Sequence, residues 1–265
     1  MALASSLDPY VDRASPIHAL DARVKLALTL ALVLALALVP PGRWLALAAI
    51  AALLWWAVLR SAVGPGRILR RAFIAAPFAL AALTLTVTRP GAPLIALSLG
   101  PLALTVTDAG LVAFVAVILK TWLSVQAALL LMATSRFTEV LGALRSLGLP
   151  AMLVAVLGFA YRYLFVLVDE AERLLRARES RAAALPGRRA GGSIAWRAGV
   201  LGSMVGTLFL RAYERSERIH AAMLSRGYSG EWRSLPARPL SAGERGLLIT
   251  GAALLAAIVW LAHWR

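Results

Sequence analysis

Residues 24–59 read VKLALTLALVLALALV, PPGR and WLALAAIAALLWWAVL, which are two apolar runs separated by a proline–glycine turn. Each run has 16 residues, so as a helix each would be about 24 Å long. The hydrocarbon core of a bilayer is roughly 30 Å thick, and flanking Lys25, Trp44 and Arg60 can extend the helices to the interfaces. No helix continues through Pro40-Pro41-Gly42. The stretch therefore predicts a helical hairpin in a membrane.

The overall composition agrees with this prediction. Of the 265 residues, 60% are hydrophobic and 15% are charged, whereas soluble domains have roughly 45–50% apolar and about 25% charged residues. The chain has no cysteine, which excludes disulfides, thiolate metal sites and a cysteine nucleophile. These numbers indicate a polytopic membrane protein.

Further apolar runs predict three more spans, over Phe73–Val87, Ala109–Ala133 and Gly246–Ala262. The segment 90–107 between two of them is typical of a loop with a short β-hairpin. Two other stretches, Met152–Val168 and Ser193–Leu210, would raise the count to seven by hydropathy alone.

Each of these two stretches runs into a charged segment, 169–181 or 211–226, with no proline or glycine at the junction. Both junctions consist of strong helix formers, which predicts two continuous helices of roughly 30 residues. A helix that is apolar in one half and charged in the other can lie along a membrane. We therefore expect an all-α membrane protein with about five transmembrane helices and two long cytoplasmic helices. The predicted domains are 1–134 with four spans, 135–240 with the cytoplasmic helices, and 241–265 with the last span.

The distribution of arginine predicts the orientation. The chain carries a net charge of +15, and cytoplasmic loops of membrane proteins are rich in Lys and Arg. Four arginines follow the second run and 17 lie between residues 135 and 245, whereas the opposite loops hold only Arg43 and Arg89. The N-terminus is therefore expected in the cytoplasm and the C-terminus outside.

An internal repeat at an offset of 45 residues relates segment 169–182 to segment 214–227. The identical pairs are Glu172/Glu217, Arg173/Arg218, Ala177/Ala222, Ser180/Ser225 and Arg181/Arg226. Each copy ends in Ser-Arg followed by a small residue, Ala182 or Gly227. An arginine at a helix end offers a fork of five donors for carboxylates or carbonyl oxygens. The alternative is that both segments are solvated, salt-bridged helix faces.

These segments resemble the transmembrane (T) component of energy-coupling factor (ECF) transporters, specifically the CbiQ type of cobalt uptake systems. The similarity covers nearly the whole chain and is carried by HALDARVK at 18–25, SRA at 180–182 and AMLSRGYSG at 222–230. In this family each of two long coupling helices ends in an Ala-Arg-Gly-like triplet that docks on an ATPase subunit. Here both triplets begin with Ser, and the first ends with Ala. The family's additional short coupling helix corresponds to residues 137–147.

The resemblance implies a set of ATPase-coupling residues: Ser180, Arg181, Ala182, Ser225, Arg226 and Gly227. Arg173, Arg178 and Arg218 are secondary candidates, and Ala177-Arg178-Glu179 competes with residues 180–182 for the first triplet. The repeat register favours Arg181 as the first anchor.

The resemblance also implies the assembly. The expected partners are two CbiO-like ATPases and a CbiM-like substrate-binding membrane subunit, with or without a small CbiN-like subunit, in the bacterial cytoplasmic (inner) membrane. Cobalt for cobalamin biosynthesis is the implied cargo. A nickel or vitamin ECF transporter is the alternative, because the T component leaves substrate binding to another subunit.

Other chemistry is not expected from these residues. There is no G-x-x-x-x-G-K-[ST] motif, and the three histidines have no ligand spacing, so we expect no catalytic residues, cofactor or metal site. Nucleic-acid binding is not expected either, because Arg alternates with Glu in the repeat. Lys120 is the one charge within the fourth predicted span. It either contacts a partner subunit or lies against helix carbonyls.

Overall fold

The computed structural model describes residues 9–99, 102–181, 193–229 and 238–264. Its contacts divide the chain into two compact units. The bundle unit comprises Pro9–Ser146 together with Ala237–Arg265, and the long-helix unit comprises Leu147–Pro236. Each unit is described by itself.

The bundle unit consists mainly of helices with one β-hairpin. Its elements are α1 (Pro16–Ala19), α2 (Ala22–Leu38), α3 (Trp44–Arg60), α4 (Pro65–Ala72), a 3₁₀ turn (Phe73–Ala75), α5 (Ala76–Ala82), α6 (Leu85–Thr88), β1 (Pro93–Leu99), β2 (Leu102–Thr107), α7 (Asp108–Thr134), α8 (Phe137–Ser146) and α11 (Ala242–Trp264). The long-helix unit contains α9 (Ala151–Arg181) and α10 (Ile194–Ser225).

The predicted helical hairpin is confirmed by α2 and α3. The chain turns after α2 at Gly42, whose φ of +89° favours glycine over other residues. Buried leucine and isoleucine side chains, including Leu36 of α2 and Ile50 of α3, form one core with Leu130 of α7 and Leu255 of α11. Residues 24–59 thus contribute many of the buried side chains of this core.

Two lysines connect α2 and α7, one at each end of α2. Lys25, at the start of α2, donates to the carbonyl oxygen of Thr134, the last residue of α7, at 2.8 Å. Lys120 of α7 donates to the carbonyl oxygens of Val39 and Ala37 at the end of α2. The two helices are therefore antiparallel, and each lysine satisfies C-terminal carbonyls that have no partner within their own helix. Lys120 was expected to contact either a partner subunit or helix carbonyls, and in the structure it contacts helix carbonyls.

The run predicted as a third span, Phe73–Val87, is not one continuous helix. It consists of the 3₁₀ turn, α5 and α6, with Pro77 in the first turn of α5. The hydroxyls of Thr84, Thr86 and Thr88 each donate to a carbonyl three or four residues earlier. Such bonds compete with the helical ladder and bend the backbone, which accounts for the break between α5 and α6.

Three described helices could cross a membrane by length and composition, namely α7, α9 and α11, and α3 is a shorter apolar helix. The β-hairpin expected within 90–107 is present as the antiparallel pair β1 and β2. The molecule is thus an all-α membrane protein apart from this hairpin. The apolar half of α9 is long enough to span, so its placement along the membrane stays a prediction.

The long-helix unit contains two uninterrupted helices of 31 and 32 residues, as the two junctions predicted. The short helix expected at 137–147 is present as α8. It packs in the bundle unit, where Ala143 is buried with Ala22 and Leu26 of α2. The domain division at 134 and 240 stays a prediction.

Candidate functional site

The tip of α10 ends in a Schellman motif, the common helix stop built on a left-handed glycine. Arg226 is the C-cap residue, and Gly227 follows it with a φ of +80°. The N–H of Gly227 donates to the Leu224 carbonyl, and the N–H of Tyr228 donates to the Met223 carbonyl, both at 3.0 Å. These bonds satisfy two carbonyls at the helix end. The glycine of the second triplet is therefore what stops the helix directly after Arg226.

The tip of α9 resembles that of α10 in its last turn. The hydroxyl of Ser180 donates to the Ala177 carbonyl at 3.0 Å, and that of Ser225 donates to the Ala222 carbonyl at the same distance. Arg181 is the last helical residue of α9 and is exposed. Ala182, the third residue of this triplet, lies outside the described residues. The repeat seen in the sequence is thus also a repeat in local structure.

Ion pairs distinguish the arginines within the helices from those at the tips. Arg173 pairs with Glu170 at 3.2 Å and Arg218 with Glu214 at 3.9 Å, one turn upstream in each helix. Within the described ranges, neither Arg181 nor Arg226 has an ion-pair partner, and both are exposed. The alternative interpretation, that the repeat forms solvated and salt-bridged helix faces, therefore fits Arg173 and Arg218 but not the arginines at the tips.

Arg178, the competing candidate for the first anchor, is half-buried, whereas Arg181 is exposed. In the described part of the chain Arg178 has no ion-pair partner either. Exposure therefore favours Arg181 for contact with another protein, in agreement with the repeat register.

A shared carboxylate holds α9 and α10 together. Glu170 of α9 forms ion pairs with Arg173 of its own helix and with Arg211 of α10. Its side chain is only 16% exposed, so these charge-assisted bonds are partly shielded from solvent. Sequence analysis missed Glu170 and Arg211, because pairing between helices leaves no fixed spacing along the chain.

The contacts also fix the relative direction of α9 and α10. Glu170 meets Arg211, while a cleft of about 330 Å³ is lined by residues 159–167 of α9 and by residues 212–228. Residues before Glu170 thus face residues after Arg211, so the helices cross in opposite directions. Arg181 lies about 16 Å beyond Glu170 along α9, and Arg226 lies about 22 Å beyond Arg211 along α10. The two tips therefore point away from each other, roughly 30–40 Å apart.

The crossing follows the symmetry of the repeat. In the 45-residue register, Glu170 of α9 corresponds to Arg215 of α10, and Arg211 of α10 corresponds to Val166 of α9. Val166 and Arg215 both line the cleft. This is the relation expected if α9 and α10 are related by an approximate two-fold axis. Such an axis would also relate Arg181 to Arg226.

Metal ligands do not cluster in the described parts of the chain: no group of three or more His, Asp or Glu side chains there could hold an ion.

Comparison with known proteins identifies the family. A profile of the family described as "Cobalt transport protein" (CbiQ) matches residues 13–236. The energy-coupling factor transporter transmembrane protein EcfT of Heliobacterium modesticaldum is 31% identical over 257 residues, which are 93% of this chain and 92% of that protein. The cobalt transport protein CbiQ of Rhodobacter capsulatus is 28% identical over 185 residues, 69% of this chain and 73% of that protein.

An uncharacterized protein of Methanocaldococcus jannaschii is 27% identical over 156 residues, 59% of this chain. The chain spans about half of the length of that relative, 51%. The resemblance to CbiQ-type T components is confirmed by the family profile and by the relatives named CbiQ and EcfT. With a profile match over most of its length and apolar helices long enough to span a bilayer, this multi-pass membrane protein belongs to the CbiQ family of cobalt transport proteins.

Proposed function

We propose that this chain is the coupling subunit of an ECF-type importer for cobalt ions, in which Arg181 and Arg226 each anchor one ATPase subunit. The observation that carries the proposal is that both repeat-related tips end in an exposed arginine without an ion-pair partner in the described residues. Arg173 and Arg218 already have carboxylate partners, so they serve the helices rather than the docking. The small residues Ser180, Ser225 and Gly227 flank the anchors and keep the approach to them open. Ala182 takes the corresponding place in the first triplet by sequence.

The geometry of the crossing suits two identical ATPases. A dimer of one ATPase presents two equivalent grooves related by a two-fold axis. A single chain can meet both grooves only with two similar contacts that are related in the same way. The tips of α9 and α10 have this relation in the repeat register, and they point in opposite directions. Closure of the ATPase dimer around ATP would then move both tips and change the angle at the Glu170–Arg211 crossing.

The apolar halves of the long helices provide a surface for a membrane partner. Leu153, Val156 and Leu157 of α9 are exposed, and so are Val205 and Phe209 of α10. In a membrane protein such a surface contacts either lipid or the apolar surface of another membrane subunit. We assign it to the substrate-binding membrane subunit (CbiM-like, with or without a CbiN-like subunit), which the movement of α9 and α10 would tilt.

Cobalt as the cargo is supported by the family description and by the name of the Rhodobacter relative. A nickel or vitamin transporter is the alternative, because the printed name of the Heliobacterium relative, an energy-coupling factor transporter transmembrane protein, specifies no substrate. The substrate subunit that co-purifies with this chain distinguishes the two. We further propose the bacterial inner membrane as its location, with the N-terminus in the cytoplasm, from the arginine asymmetry.

The coupling proposal is tested by co-purification of the cognate ATPase with the wild-type chain, with Arg181→Glu, with Arg226→Glu and with the double variant. We expect each single variant to weaken ATPase binding and the double variant to abolish it. Arg→Lys at either tip should also weaken binding, because a point charge does not reproduce the two parallel hydrogen bonds of a guanidinium.

Arg176→Glu is the matched control. Arg176 is exposed on α9 but pairs with Glu172 at 3.2 Å, so its reversal should leave ATPase binding nearly unchanged. If the double variant at the tips retains the ATPase as well as Arg176→Glu does, the anchors are wrongly assigned. If the wild-type chain binds no ATPase, the transporter role itself is wrong.

A further inference from the structure

A slot of about 520 Å³ lies between the start of α3 and the end of α11 in the bundle unit. Its walls are apolar side chains, among them Leu45 and Ala49 of α3 and Ile258 and Leu261 of α11. Among the described residues, Arg43 is the one charged residue that lines it. This part of the chain therefore gives the slot apolar walls and one cation, a combination that neither the coupling proposal nor the family match explains.

Arg43 is half-buried, in the turn that joins α2 and α3. Among the described residues its side chain has no carboxylate within ion-pair distance. A guanidinium in this position leaves its five donors open to water or to an anionic ligand. In addition, α3 begins without a side-chain cap, so the N–H groups of its first turn add positive potential on the same side.

The surroundings place this end of the bundle at a membrane interface. Trp44 is exposed beside the slot, and Trp260 and Trp264 of α11 are exposed and stacked with ring centroids 5.2 Å apart. Tryptophan is enriched where helices leave the hydrocarbon core and meet the headgroups. The cation and the apolar walls therefore lie at the depths of a lipid headgroup and of its acyl chain.

We propose that the slot binds one anionic phospholipid, with its phosphate hydrogen-bonded by the Arg43 guanidinium and one acyl chain lying along Ala49, Ile258 and Leu261. The planar fork of arginine matches the oxygens of a phosphate, which accounts for headgroup recognition. The side chains of Ala49, Ile258 and Leu261 account for the acyl chain, because they offer no hydrogen-bonding groups to a polar ligand. This assignment does not depend on the coupling role of α9 and α10.

The test is native mass spectrometry of the purified full-length chain with added phosphatidylglycerol or phosphatidylcholine of identical acyl chains. Both lipids carry the same phosphodiester, but the quaternary ammonium of phosphatidylcholine offsets its attraction to Arg43. We therefore expect the wild type to bind phosphatidylglycerol about tenfold more tightly. Arg43→Gln should remove this preference, and Arg43→Lys should retain part of it. Arg89→Gln is the control, because Arg89 is predicted on the same side of the membrane but does not line the slot.

A second pair of variants tests the acyl chain. Ala49 lines the slot, whereas neighbouring Ala48 is exposed and does not. Ala49→Phe should weaken binding of both lipids, and Ala48→Phe should not. This pair keeps the test decisive if a change at Arg43 impairs folding.

Three results would overturn the proposal. The first is equal binding of both lipids by the wild type or an unchanged preference in Arg43→Gln. The second is binding of inorganic phosphate that equals that of the anionic lipid and is lost in Arg43→Gln, which would define a site for free anions. The third is an Ala49→Phe variant that binds lipid normally but loses the substrate-binding membrane subunit, which would assign the slot to a protein partner.

Discussion

Replacement of Lys120 by methionine should destabilise the bundle unit without affecting partner binding. In the structure the Lys120 ammonium donates to the Val39 and Ala37 carbonyls at the end of α2. Methionine has a similar length and remains apolar, but it donates no hydrogen bond. The variant therefore removes the polar contact while it changes the packing little.

The size of the effect follows from these contacts. A hydrogen bond to a charged group contributes about 1.5–3 kcal/mol, and a cation at a helix C-terminus about 0.3–1 kcal/mol. The Ala37 contact is long at 3.5 Å, and Lys120 is partly exposed, so solvent screening lowers the total. We expect a loss of about 2 kcal/mol, which for a chain of this size lowers the Tm by about 4–8 °C.

The assay is thermal unfolding of the purified protein in detergent, followed by tryptophan fluorescence, with Lys120→Arg as the control that retains a donor. Lys25→Met removes the equivalent contact with Thr134 at the other end of the two helices. The two contacts lie about 21 Å apart along α2, from Lys25 to Val39, so the losses of the double variant should add within about 0.5 kcal/mol. A Tm of Lys120→Met within 1 °C of the wild type, or loss of a partner subunit at unchanged Tm, would refute the assignment.

Two further predictions concern glycines. Gly227→Ala should lower the free energy of unfolding by about 1 kcal/mol, because an L-residue is strained at this positive φ, and it should also weaken ATPase binding. The control is Gly206→Ala, within α10 and with free space around it, which should be neutral or stabilising in thermal unfolding. Gly251→Leu should separate α11 from α2, since even a Cβ at this position would lie 2.7 Å from Leu28 Cδ2. We expect the free energy of unfolding to fall by about 1–3 kcal/mol. The control is Gly246→Leu, where an added Cβ would meet nothing within 4 Å and the Tm should stay unchanged.

Much of the fold could be predicted because local patterns dictate it. The α2–α3 hairpin follows from two apolar runs and a Pro-Pro-Gly turn, which act within a few residues. The lengths of α9 and α10 follow from the absence of helix breakers at their junctions. The breaks within the third run could not be predicted, because the threonine hydroxyl bonds at 84–88 are weak signals beside its strong apolar character. Whether this run crosses the membrane stays a prediction.

The candidate site could be predicted only in part from local sequence patterns. The repeat located both tips, and Gly227 next to Arg226 already indicated a helix end. The repeat could not show which of its arginines are occupied by ion pairs. In the structure Arg173 and Arg218 are paired and the tips are not, a difference that arises from side-chain geometry around Glu170 and Glu214.

The amino-acid sequence by itself determined the membrane class, the helical hairpin, the two long helices and the repeated Ser-Arg tips, because these depend on hydrophobicity and on interactions between residues close along the chain. Only the tertiary structure decided the antiparallel crossing at Glu170 and Arg211, the lysine contacts between α2 and α7, and the slot beside Arg43. Each of these joins residues that are far apart in sequence. Such contacts depend on how helices pack, and helix packing leaves no fixed spacing for a sequence to display.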